Sequence, residues 1–325
     1  MSFAATRPVV DGLVDEPAWQ AAPWTAPFVD IEGNIHPEPR LRTRAKLLWD
    51  HRYLYVAAEL EEPDLWATLT TRDAVIFRDH DFEMFLDPDG DTHAYFELEV
   101  NALGTIWDLF LPKPYRDGGR AVDAWDIVGL ESAVRLRGTL NDPSDRDTAW
   151  TVELAIPWSA LAPPGELGRA PRDGEQWRVN FSRVEWDLVA GTEGRYAKRR
   201  DPATGNPAPE HNWVWAAQHA VNLHMPEFWG IAQFSATPAG GAPVAFRPPR
   251  DDAERWALRL VYYAQRAFRE RHGRYARDLT ELGAMVGGTH AAVVVAATDT
   301  TYVATAPGTA GRVWRIDHEG RLFRP

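Results

Sequence analysis

The chain is 325 residues long, has no cysteine, and carries 35 basic against 47 acidic side chains for a net charge of −12. That acidity argues against electrostatic nucleic-acid binding, because phosphate contacts need a basic face. The missing cysteine removes disulfides, thiolate zinc sites, iron–sulfur clusters and a cysteine nucleophile. Fifteen tryptophans in such a chain imply either a β-rich core or stacking faces offered to a ligand.

In chain order, Met1 to Pro8 shows no charged segment followed by an apolar one, and no run of about eighteen apolar residues occurs anywhere, so neither a signal peptide nor a transmembrane segment is read. From about residue 9 to 235, short period-2 runs are separated by Gly, Pro, Asp and Asn. The clearest are 54–60, 82–87, 94–101, 105–111, 150–156 and 177–184, and they predict a mainly β protein built on an antiparallel, jelly-roll-like β-sandwich over residues 1–237. Residues 238–250 are rich in Pro and Gly and read as a linker. Beyond it, Ala257, Leu260, Val261, Ala264, Ala267 and Phe268 recur at helical spacing, with Asp251 or Asp252 as cap and Gly273 as stop. Asp278 to Glu281 resembles a capping box, and strands are expected at 291–297, 301–305, 312–317 and 321–323, giving a small C-terminal α+β domain over 251–325. Residues 251–325 carry a net +2, which leaves −14 on the first 250.

Strict alternation sends Phe96, Leu98 and Val100 to one face and Tyr95, Glu97, Glu99 and Asn101 to the other; Phe82, Met84 and Leu86 likewise oppose Glu83, Phe85 and Asp87. If these strands pair, Glu83, Glu97, Glu99 and Asn101 share a polar face that either is solvated or accepts hydrogen bonds from sugar hydroxyls. Trp107 leads into a long loop holding Lys113, Tyr115 and Trp125, which is either a binding loop or an Ω-loop packed down by its own aromatics. Trp213 and Trp215 are two apart, so on a strand they share a face and form either a stacking platform or core. His224 closes a second cluster of aromatics and imidazoles. Asp87, Asp89 and Asp91 set alternate carboxylates in a turn, which suits calcium's preference for oxygen ligands, or they form an Asx-rich hairpin.

Three segments are similar in order and spacing to carbohydrate-binding module family 9: Val10 to Trp19 (VDGLVDEPAW), Ala45 to Asp50 with Tyr53 to Val56, and Asp81 to Asp89 (DFEMFLDPD). Tyr95 to Asn101 with Gly104, Trp150 to Pro157, and Pro226 to Gly230 extend the resemblance over roughly residues 9–235. It implies a non-catalytic β-sandwich that binds oligo- or polysaccharide, associated with carbohydrate breakdown in secreted bacterial proteins of extracellular or periplasmic placement, with calcium in the scaffold. The resemblance places the family's site glutamate at Glu83 and its strand asparagine at Asn101. Its two stacking tryptophans fall on Phe77 and near Leu223 or His224, and its arginine falls on Glu99, so the chain departs from the pattern at those three positions.

No G-x-S-x-G, H-E-x-x-H, Walker-type or dinucleotide-binding motif is present. Two alternatives remain from other classes. One is a glycan hydrolase using Glu83 with Glu97 or Glu99. The other is a haem-binding sandwich using Met84, Met225, Lys113 or His224. The sequence names no protein partner for the C-terminal domain.

Overall fold

The computed structural model describes residues 1–191, 194–283 and 292–325. The chain divides into two units, the first made of residues 1–88, 94–112 and 120–245 and the second of 89–93, 113–119 and 246–325.

The first unit contains β1 (Ser2–Phe3), α1 (Pro17–Ala21), β2 (Val29–Asp30), β3 (Thr43–Trp49), β4 (Tyr53–Glu61), β5 (Asp81–Asp87), β6 (Tyr95–Asn101), β7 (Ile106–Leu111), β8 (Glu131–Arg137), β9 (Ala149–Pro157), β10 (Gln176–Glu185), β11 (Leu188–Ala190), β12 (Tyr196–Lys198), β13 (His211–Val214) and β14 (Gly230–Gln233). A five-stranded sheet runs β1-β3-β4-β9-β8, a seven-stranded sheet runs β2-β13-β10-β5-β6-β7 with β14 beside β10, and β11 pairs with β12. Apart from the parallel β1–β3 pair, the ladders are antiparallel. The two larger sheets enclose one core. Leu54, Val56, Ala58 and Leu60 from β4 and Trp150, Val152, Leu154 and Ile156 from β9 meet Phe82, Met84 and Leu86 from β5, Phe96, Leu98 and Val100 from β6, and Val179 and Phe181 from β10. The period-2 alternation of these strands thus acts as expected: every second residue leaves water for the space between the sheets.

Tryptophan is chiefly a packing residue here. Nine of the 15 are buried: Trp19, Trp49, Trp66, Trp125, Trp150, Trp158, Trp177, Trp213 and Trp229. Trp158, Trp177 and Trp49 meet Phe234 edge to face at 5.3–5.8 Å and close one end of the core, an arrangement aromatic quadrupoles favour over face-to-face contact.

The far face of the five-stranded sheet has its own cover, and this explains the first sequence motif. Glu153 on β9 accepts from Gly12 N at 2.7 Å, Asp11 N at 3.1 Å and the Trp19 indole N–H at 2.6 Å. Gly12 has a φ of 84°, and a Cβ there would lie 3.0 Å from the Arg135 Cβ, so glycine alone fits the approach. Pro17 opens α1 at its first turn, where a missing N–H costs nothing.

In the second unit, α2 (Asp252–His272) and α3 (Leu279–Leu282) accompany a meander of β15 (Val294–Ala297), β16 (Tyr302–Pro307), β17 (Val313–Asp317) and β18 (Leu322–Phe323). The expected first strand began at Ala291, which lies outside the described residues. The apolar stripe of α2 packs Ala257, Val261, Tyr262, Ala264 and Phe268 against Tyr302, Ala304, Ala306, Ile316 and Leu322. Gly273 ends the helix in the left-handed region, and Asp278 caps α3 by accepting from Glu281 N at 3.0 Å. Asp251 stands at the N-cap of α2, but its carboxylate caps nothing there. It accepts instead from Thr309 N, Arg312 Nε and Trp314 Nε1 at 2.7–3.0 Å. Segments 89–93 and 113–119 are tied into this unit by Asp91 with Arg321, Lys113 with Glu319, and Asp117 with Tyr262 and Arg266. At the other side of the expected linker, Phe3 bonds to the backbone of Thr237 and Ala239, so these residues belong to the sandwich sheet edge.

Candidate functional site

The face of the seven-stranded sheet turned away from the core carries two patches. Register sets Glu83 on β5 directly across from Glu99 on β6 and Ser182 on β10, sets Asp81 across from Asn101, and sets Trp107 on β7 across from Glu99. Glu97 lies between Phe85 and Leu109. The result is an acidic patch of Asp81, Glu83, Glu97 and Glu99 beside an apolar one of Phe85, Tyr95, Leu109, Leu111 and Trp229. Trp229, from the Pro226 to Gly230 motif, packs on Phe85 and Tyr95 and donates its N–H to Leu223 O at 2.9 Å.

All four carboxylates are buried, and each has its pKa raised. Glu83 is pushed up to about 7, chiefly by burial. Asp81, Glu97 and Glu99 are pushed well above the carboxylate range, first by burial and then by repulsion from Glu83. Ser182 hydrogen-bonds Glu83 and Glu99 hydrogen-bonds Glu97, while Asp81 Oδ2 and the Trp107 indole N–H have no hydrogen-bond partner among the described residues.

Phe77 sits at the rim, 37% exposed. Its backbone is fixed on both sides, N–H to Glu99 Oε2 at 2.9 Å and carbonyl from the Trp186 indole at 3.0 Å. Lys198 lies 3.2 Å from the Trp186 ring centroid, and burial lowers its pKa to about 8. The loop position carried over from the resemblance thus has its backbone tied to Glu99 and Trp186.

Asn101 is in register with the patch but already committed. Its amide donates to Leu69 O and Asp79 Oδ2, and its carbonyl oxygen accepts from Leu103 N and Thr105 N, all at 2.9–3.1 Å. It holds a turn. His224 is bonded through Nδ1 to Tyr95 OH at 3.0 Å, with Nε2 4.0 Å from Glu97 Oε2.

The tryptophan platform is not formed. Trp213 pairs with core-facing Arg183 and is buried in the sandwich. Trp215 packs 5.9 Å from Phe181, and its ring occupies the space where a Cβ on Gly230 would stand, 2.4 Å away. Lys113 and Tyr115 lie in the second unit, with Lys113 paired to Glu319. In the acidic turn, Asp87 is buried, Asp89 is exposed, and Asp91 is paired with Arg321 at 2.9 Å.

Two alternative chemistries lose support. For the hydrolase, Glu83, Glu97 and Glu99 are all buried, so neither proposed carboxylate pair is open to solvent. For haem, Met84 is in the core, Lys113 is ion-paired and His224 bonds Tyr95, so three of the four proposed ligands are occupied. Asp81 and Ser182 complete the patch and Lys198 lies by Trp186 without having been singled out as site residues. Asp81 shares the alternation of Glu83 and was legible; Ser182 needs the strand register, and Trp186 and Lys198 need the tertiary fold.

A sandwich with one sheet face left polar, acidic and incompletely hydrogen-bonded, edged by an exposed ring, is a binding domain. The chain belongs to the carbohydrate family 9 binding domain-like family, whose model matches residues 10–232. Carbohydrate binding without catalysis is the function that membership carries. Over 91 residues, 28% of the chain, it is 34% identical to endo-1,4-beta-xylanase C of Paenibacillus barcinonensis, and the match spans 8% of that protein. Among solved structures, a family 9 carbohydrate-binding module from Caldicellulosiruptor kristjanssonii in complex with cellotriose is 19% identical, with a TM-score of 0.46 over 76% of this chain and 99% of that one. A putative carbohydrate-binding protein from Bacteroides uniformis is 16% identical, with a TM-score of 0.48 over 72% and 98%. No helix among the described residues is long and apolar enough to cross a membrane.

Proposed function

We propose that the chain holds an oligo- or polysaccharide at the rim of the acidic patch of the seven-stranded sheet, with Phe77 and Trp107 covering the sugar's C–H face, and that it serves polysaccharide breakdown by keeping substrate close rather than by cleaving it. The observation that carries this is a partly exposed aromatic residue, Phe77, at the rim of the patch, with its backbone N–H bonded to Glu99. Carboxylates accept strongly from hydroxyls, and a flat ring covers the apolar side of a pyranose. Glu99, its pKa raised by burial, stands where the resemblance puts an arginine, which favours neutral ligands read through their O–H groups over those with acidic substituents.

Titration calorimetry with cello- and xylo-oligosaccharides on the full chain tests the reading. Phe77→Ala and Trp107→Ala are each expected to weaken binding roughly tenfold, the equivalent of about 1.4 kcal/mol of lost stacking. Absence of binding to any oligosaccharide, with calcium present or absent, would reject the function; binding unaffected by either substitution would move the site elsewhere on the molecule.

A further inference from the structure

We infer that Lys198 is a further sugar-contacting residue, which donates hydrogen bonds to ligand hydroxyl oxygens beside the Phe77 loop. This role presupposes the sugar site proposed above and supplies what that site lacks, a polar group at the rim with bonds to spare. A pyranose needs such groups as well as a flat ring, because its hydroxyls must recover the hydrogen bonds they give up to water. Asp81, Glu83, Glu97 and Glu99 are buried, and the main chain of Phe77 is spent on Glu99 and Trp186. Trp186 is spent as well: its indole N–H goes to Phe77 O at 3.0 Å, and its carbonyl accepts from His80 Nε2 at 3.0 Å.

Lys198 is what these contacts leave over. It ends β12, half-buried, with its ammonium 3.2 Å from the centroid of the Trp186 ring and 5.5 Å from that of Trp66. Trp186 is clamped to Phe77 by its side chain and to His80 by its main chain, so the ring that carries the ammonium is held to the Phe77 loop. An indole face attracts the charge and leaves N–H donors for an oxygen. Among the described residues Lys198 makes no hydrogen bond and no ion pair. The chain's other two lysines are both committed: Lys46 donates to Trp19 O, and Lys113 pairs with Glu319.

The charges around Lys198 act on it only through space. Asp79 and Glu210 attract the ammonium and Arg78 repels it. Asp79 is already bonded to Thr68, Leu69 and Asn101. Glu210 also acts on Glu83, so one half-buried carboxylate stands within electrostatic reach of both Lys198 and the acidic patch. Burial brings the lysine's pKa down to about 8, which means that the fold has stripped water from the amine without replacing it by a bonded partner. A ligand hydroxyl restores that lost hydration.

The full chain is titrated calorimetrically with cellotriose and with xylotriose at pH 7. Lys198→Met keeps a flexible stem against the indoles and removes every side-chain N–H; it is expected to weaken binding roughly tenfold, with circular dichroism unchanged. Lys198→Arg, which restores donors, is expected to stay within about threefold of the parent. Contact is read separately on the parent chain, so that the test does not depend on any variant folding. Acetic anhydride at pH 8 is expected to acylate Lys198 in the free chain, as seen by peptide mass mapping, and to leave it largely unmodified when the tighter-binding of the two sugars is saturating. Two results overturn the role of Lys198 while leaving the sugar site standing: binding that is weakened by Phe77→Ala but unchanged in Lys198→Met, or acylation of Lys198 that runs equally fast with sugar bound. A parent chain that binds neither sugar overturns both.

Discussion

Single residues in this molecule owe their place to hydrogen bonds more often than their types suggest. Trp19 packs against the outer face of a sheet, yet what fixes it is the Glu153 carboxylate, which also gathers the backbone N–H groups of Asp11 and Gly12. Trp19→Phe keeps most of the packing and strands one buried carboxylate oxygen, so it is expected to cost about 1–3 kcal/mol in urea unfolding while leaving sugar affinity unchanged. Asn101 gives the sharper lesson. Its position in a strand beside Glu99 is shared by a ligand-binding residue and by a turn clamp, and its four bonds to Leu69, Asp79, Leu103 and Thr105 decide for the clamp. Asn101→Ala is therefore expected to lower stability by about 2 kcal/mol, and any loss of sugar binding should track the unfolded fraction. A variant of full stability that no longer binds sugar would return Asn101 to the ligand.

At the scale of elements, period-2 alternation told which side chains share a face but not which face is which. For β5 and β6 the apolar set Phe82, Met84, Leu86, Phe96, Leu98 and Val100 settled the matter, because carboxylates at every other position cannot line a core. For β13, only four residues long, both sets carry something large and the alternation is mute. Trp213 turns inward because its register partner Arg183 does, and Arg183 turns inward to meet Glu62 and Glu185 at 2.7 and 2.8 Å. A buried arginine answering two buried glutamates is a long-range fact: Glu62 lies 121 residues from Arg183. The same reasoning explains Asp251, a good helix cap by type, whose carboxylate is drawn to Arg312 and Trp314 about 60 residues away. Local sequence supplied the strands and the capping residues; pairing partners distant in the chain decided which of them faced a ligand.

The whole molecule carries an unusual proton balance. Asp81, Glu83, Glu97, Glu99 and Glu185 all have raised pKa values from burial, Glu83 and Glu185 to about 7, and His80 beside Glu185 and Glu62 is raised as well. For each of these the folded chain holds a proton that the unfolded chain has released, so stability falls as pH rises from the ordinary carboxylate range through about 7. Glu62, lowered to about 2 with His80 and Arg183 beside it, acts oppositely: its contribution is present above its unfolded value and is lost as pH falls toward 2. The thermal midpoint is expected to peak at about pH 4 and to drop several degrees by about pH 8, and Glu83→Gln should make that drop smaller. Scanning calorimetry across this range checks it; a midpoint that climbs from pH 5 to 8 would mean that the patch is not buried and protonated as described.

The second unit is assembled from three separate stretches of chain, two of them only five and seven residues long: 89–93 and 113–119, joined by 246–325. A gene fragment beginning at residue 246 would therefore encode Arg321 without Asp91, Glu319 without Lys113, and Tyr262 and Arg266 without Asp117. Cutting the chain at residue 246 would thus separate Arg321, Glu319, Tyr262 and Arg266 from their partners, and the released piece is expected to unfold at a lower temperature than the same unit in the full chain.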